Sequence, residues 1–187
     1  MKNRVLILRI AKTAFVVLAL VFIGSQTIRP AKTNPAVDQS RTLRSHARMS
    51  AEVAAVLQRG CGDCHSNETV WPWYSDVAPV SWFVIDHVNH GRRHLNFSDW
   101  TRYDHQQADD LLGSIEKTVR GGAMPLTSYT LLHPEARLTQ GEREMIFDWA
   151  QAERTRLADG MQAGEPDRFA RGLKDGRNQT DASSKAR

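Results

Sequence analysis

An apolar run near the start of the chain, TAFVVLALVFIG over residues 13–24, sets its first boundary. Lys2, Arg4, Arg9 and Lys12 precede it, and residues 1–25 contain no acidic side chain. A basic segment followed by an apolar run of this length is the layout of an export signal. Counted from Val5, the stretch is long enough to span a bilayer when Arg9 and Lys12 extend their charged ends toward the headgroups. Phe22, Ile23 and Gly24 do not supply the small-residue pattern that cleavage requires. The reading favours an uncleaved signal anchor over residues 1–25, with a removed signal as the alternative. In both cases the basic residues stay on the cytoplasmic side and the body is exported.

The same four residues account for the positive charge. The formal net charge is +4; taking those four from the 25 basic residues leaves 21, equal to the 21 acidic residues. The exported part is therefore neutral overall, which argues against a nucleic-acid-binding face. Residues 26–48, with Pro30, Pro35, Asn34 and Ser40, read as a linker or extended arm. A folded domain is expected over 49–157, and a disordered, polar tail over 158–187.

Within the domain the periodicity is helical. Ser50 is a candidate N-cap for a helix with Val53, Val56 and Leu57 on one face, and Gly60 marks its end. Pro79 opens a second helix through about His90, carrying Trp82, Ile85 and Val88, with Gly91 as its stop. Ala108, Leu111, Leu112, Ile115 and Val119 give a third helix over 105–120, stopped by Gly121 and Gly122. Thr139 and Glu142 form a capping box ahead of a last helix bearing Met145, Ile146, Trp149 and Ala152. No segment alternates with period two, so the expected class is all-α.

Both cysteines of the chain lie in one pentapeptide, Cys61-Gly62-Asp63-Cys64-His65. Cysteines three residues apart on a helical turn face the same way. Two thiols so placed can add across the two vinyl groups along one edge of a haem, and the next residue, His65, falls beneath the iron. The C-x-x-C-H pattern reads as attachment of one covalent haem c. Three rivals stand beside it. A thiol redox pair expects a βαβ setting, a zinc site expects a second ligand pair, and a local disulfide is the plainest reading of all.

Met124, in Gly121-Gly122-Ala123-Met124-Pro125, is the candidate sixth ligand, because a thioether is a soft iron ligand and a Met/His pair raises the reduction potential. His87, His90 and His94 are its rivals. Arg92, Arg93 and Asn96 are candidate partners of the haem propionates. Trp73 and Tyr74, with Trp71 and Trp82, are candidates to pack on the porphyrin, an indole or phenol reaching a propionate.

From Gln26 to about Trp149 the chain resembles the small haem-binding domain family of bacterial exported proteins. The resemblance is carried by Arg29-Pro30 and Asn34-Pro35, the C-x-x-C-H-S-N run from Cys61, the W-P-W-Y-S run from Trp71, and Ala78-Pro79-Val80-Ser81-Trp82. It continues through Gly91-Arg92, Leu95-Asn96-Phe97-Ser98, Met124-Pro125, Tyr129, His133-Pro134, Glu142 and Trp149. It implies a monohaem, cytochrome-c-like helical domain tethered to the bacterial inner membrane and facing the periplasm. On this reading the chain is more an electron carrier than an enzyme, and it meets redox partner proteins. The alternative is a peroxidase-like haem enzyme or a sensor with an open or displaceable distal site.

Overall fold

The computed structural model describes residues 2–162. Every regular element among the described residues is helical, as the periodicity predicts. Helix α1 (Lys2–Ser25) stands apart from the body, exposed on all sides and long and apolar enough to cross a membrane.

The segment after α1 is extended but not free. Gln26 bonds to the backbone of Ala78, Lys32 pairs with Asp76, and Asn34 Nδ2 donates to the Thr69 carbonyl at 2.9 Å. After a short 3₁₀ turn (Gln39–Arg41), α2 (Leu43–His46) inserts Leu43 into the core. The arm expected as a linker is thus laid along the domain, because its polar side chains find backbone partners there.

Helix α3 (Ala51–His65) starts at Ser50, whose hydroxyl accepts from the Val53 N–H at 3.2 Å. Gly60 does not end it; the helix runs through the whole C-x-x-C-H segment. Gly60 is buried, and a Cβ there would meet Leu138 at 3.3 Å and Pro125 at 3.5 Å, so the glycine admits a neighbouring segment instead of breaking the helix.

A 3₁₀ turn (Trp73–Asp76) leads to α4 (Val80–His94), which likewise continues past Gly91 and buries Ile85 and Val88. A further 3₁₀ segment (Phe97–Arg102) carries the buried Trp100.

Helix α5 (His105–Arg120) matches its expected span, and Asp104 and Gln107 cap it reciprocally. Its end is a Schellman turn: the Ala123 N–H bonds to the Thr118 carbonyl and the Gly122 N–H to that of Val119. Gly122 takes φ +71°, the left-handed conformation glycine adopts without strain.

Short helix α6 (Thr127–Leu132) and a 3₁₀ turn (Pro134–Ala136) lead to α7 (Gln140–Gln162). The predicted capping box is formed, with Thr139 Oγ1 accepting from the Glu142 N–H and Glu142 Oε2 from the Thr139 N–H. The buried face of α7 is Ile146, Trp149, Ala150, Glu153 and Leu157; Ala152 is exposed, contrary to expectation. This helix runs to Gln162, beyond the Leu157 boundary read from loss of apolar residues. The rest of the expected tail, 163–187, lies outside the described residues.

Helices α5 and α7 pack along each other, and α3 packs on α7 and α4. Leu57, Leu112, Ile115, Val119 and Ile146 form the centre of the core.

Candidate functional site

The last two turns of α3, the second half of α4, the inner face of α5 and the Met124–Tyr129 segment enclose a largely apolar cavity of about 450 Å³. That volume lies in the range of small-molecule and cofactor sites. Cys61, Cys64, His65 and Met124 all line it. So do His87, His90 and His94.

The helix explains why the thiols share a wall. Continuing α3 through the motif puts Cys61 and Cys64 one turn apart on the same side. Both are free thiols. Burial pushes Cys61 up to about 12 and Cys64 up to about 11, so both are protonated and uncharged.

His65 is oriented from α4. Its Nδ1 lies 3.0 Å from the carbonyl oxygen of Leu95, the residue that caps α4. A donor at Nδ1 leaves Nε2 with its lone pair available, the tautomer a metal ligand needs. Burial lowers the pKa of the imidazole and so favours that neutral form.

Met124 follows directly from the Schellman turn. Its N–H bonds to the Thr118 carbonyl at 3.1 Å, and the Met124–Pro125 peptide bond is cis. The turn at Gly122 sends the chain back along α5, and Met124 thereby reaches the cavity wall.

None of the seven residues expected to meet the haem propionates or ring, Arg92, Arg93, Asn96, Trp71, Trp73, Tyr74 and Trp82, lines the cavity. Arg92 is buried and spends its guanidinium on Ser66 O, Thr33 O, Asn34 Oδ1 and Thr69 Oγ1, all at 2.6–2.9 Å. It clamps the arm to the loop after the motif. Asn96 caps the following 3₁₀ segment, accepting from the Ser98 N–H and donating to Asn67 Oδ1. Trp73 is 78% exposed. Tyr74 shares a 2.6 Å hydrogen bond with His133 Nε2.

Two contributors carry no clear signal in the sequence. Asp63, between the two cysteines, accepts from the Tyr129 hydroxyl at 2.7 Å and from the Val70 N–H at 2.9 Å. It joins the motif to the segment closing the cavity. Burial first, then this bond to Asp63, push the Tyr129 hydroxyl well above its usual pKa. The Leu95 carbonyl is a backbone atom, which no side-chain pattern announces.

The donor set is two thiols on one helix face, an imidazole with a fixed tautomer, and a thioether, all bordering an apolar space. That chemistry suits a haem held through its edge and its iron. Among the described residues no group of three or more His, Cys, Asp or Glu side chains is placed to hold a metal ion by itself. The family model described as a haem-binding domain matches residues 20–152. No curated protein and no solved structure matches the chain.

Proposed function

Because the chain belongs to the haem-binding domain family, we propose that it is a monohaem c-type cytochrome, anchored by α1 in the bacterial inner membrane, that passes single electrons in the periplasm. The observation that carries this reading is the convergence of Cys61, Cys64, His65 and Met124 on one apolar cavity. Haem c supplies the iron that takes up and releases the electron.

The chain's own residues hold and tune it. Cys61 and Cys64 would hold the haem through two thioethers, each S–H adding across a vinyl group. His65 would bind the iron through Nε2 while the Leu95 carbonyl holds Nδ1–H. Met124 would supply a thioether to the iron and so favour its reduced state. Leu57, Ile115 and Val119 keep bulk water from the site. The histidines of α4 stand on the helix that packs against the Cys64–His65 turn, whereas Met124 enters from a different wall. That separation favours Met124 over those histidines as the second residue that would hold the iron.

Attachment is tested by extraction. Wild-type protein should retain its haem in acidified organic solvent, and the Cys61→Ser, Cys64→Ser double variant should release all of it. Complete release from the wild type would overturn the covalent assignment.

A second reading, a haem enzyme or sensor with a displaceable distal ligand, draws on His87, His90 and His94, which line the same cavity. Rapid binding of carbon monoxide to the reduced wild-type protein would favour it over simple electron transfer.

A further inference from the structure

We propose that the domain lies directly on the periplasmic surface of the bilayer, with Trp73, Val80 and Phe83 seated in the lipid interface. This rests on the reading of α1 as a membrane anchor.

The geometry starts at the end of α1. Ser25 is its last residue, and the next, Gln26, makes two bonds to a single residue of the body. Gln26 Nε2 donates to the Ala78 carbonyl at 3.1 Å, and Gln26 Oε1 accepts from the Ala78 N–H at 3.0 Å. Two residues on, the Ile28 carbonyl accepts from Trp82 Nε1 at 2.7 Å. One peptide spans about 3.8 Å between Cα atoms, so no slack separates the membrane span from the start of α4. Past the polar Ser25, Gln26 and Thr27 the chain turns apolar again at Ile28, itself exposed. The bilayer surface and the first turn of α4 therefore stand at the same height.

The side chains at that height are apolar and open. Trp73 is 78% exposed, Phe83 55% and Val80 44%. Val80 and Phe83 are three residues apart and share a face of α4. The turn containing Trp73 packs on α4 and is tied to the arm by Lys32 through Asp76. Isolated exposed apolar residues are ordinary, but these sit on the two elements, the Trp73–Asp76 turn and the start of α4, that bond to the chain just past its membrane helix. Tryptophan is favoured at headgroup level, where an apolar ring and a polar N–H are both accommodated. Arg29, exposed on the same stretch of arm, suits anionic headgroups.

The test uses the full chain in vesicles of phosphatidylethanolamine and phosphatidylglycerol. Photoreactive benzoylphenylalanine replaces, one at a time, Phe22 in the span, Trp73, Phe83, and Ala152 on the exposed face of α7. All four positions are exposed, and the haem spectrum checks that each labelled chain is folded. After irradiation, lipid adducts are expected at positions 22, 73 and 83 and not at 152. Adducts at 22 with none at 73 and 83 would overturn the docking and leave the anchor standing. No adduct at 22 would overturn the anchor reading and the docking with it. Cross-links at 73 and 83 to a second copy of the chain would overturn the proposal in favour of a dimer interface.

Discussion

A Cβ on Gly91 would stand 2.5 Å from the carbonyl oxygen of Cys64 and 3.3 Å from its Cβ. The two helices that frame the cavity touch at this point, backbone against backbone, with no flexible side chain to give way. The contact brings α4 close enough for the Leu95 carbonyl, four residues on, to hold His65. Gly91→Ala should therefore separate α3 from α4, cost about 1–3 kcal/mol, and alter the haem spectrum through His65. Gly62→Ala is the comparison. The atoms nearest its Cβ belong to the end of the flexible Gln58 side chain, at 2.8–3.0 Å. A helical Gly→Ala change otherwise gains about 0.5–1 kcal/mol, so thermal unfolding should show this variant near or above wild type.

Arg92 ties the arm to the loop after the motif. Replacing it with Met removes four hydrogen bonds from a buried guanidinium and leaves their acceptors short of a donor. Arg92→Met should cost about 2–4 kcal/mol and expose residues 30–40 to proteolysis. The reduction potential and ligand spectrum of the folded fraction should stay as in wild type. A lowered potential with an arm still protected would mean that Arg92 meets a propionate after all.

On the proposed ligation, Met124→Ala should free one coordination position of the iron while Cys61, Cys64 and His65 keep the haem. Reduced variant should bind carbon monoxide readily, and the ferric sulfur–iron charge-transfer band of the wild type should vanish. Met145, partly buried against the core, gives the contrast. Met145→Ala should lower stability by about 2 kcal/mol with no change in ligand spectrum.

Acid should weaken the start of α7. Bonds from the Thr139 backbone and from Arg59 hold the Glu142 carboxyl below its ordinary 4.5. Its folded pKa is depressed, so its contribution is present above pH 4.5 and is lost as pH falls through the lower folded value. Between pH 5 and pH 3 the wild type should lose more of its thermal stability than Glu142→Gln, whose side chain does not titrate. Parallel losses in the two proteins would remove Glu142 from the acid response.

The sequence declares those parts of the fold that depend on neighbours along the chain. Helix α5 is legible because five apolar residues repeat at helical spacing, and the capping pair Thr139 and Glu142 is legible because its partners are three residues apart. Gly60 and Gly91 mislead because one residue type both stops helices and lets them touch. Only the facing atoms, Leu138 and Pro125 for one and Cys64 for the other, decide which. Arg92 misleads for a related reason: its acceptors come from Thr33, Asn34, Ser66 and Thr69, distant segments that no spacing rule connects. The candidate ligands Cys61, Cys64, His65 and Met124 do meet at one cavity, whereas Trp73, Tyr74 and Asn96 belong to loops whose partners are equally nonlocal.

The docked arm also decides how such a domain finds a partner. A flexible chain of the length 26–48 would let the body wander roughly 25 Å from its tether. Held by Gln26, Lys32 and Asn34, it has none of that reach. On a membrane, the search collapses from a volume to a plane: the domain drifts sideways with one side always leading. On the proposed reading of an anchored electron carrier, a partner would have to offer its own redox edge at one fixed height, so the length of a few side-chain bonds would become a rule about which complexes can form.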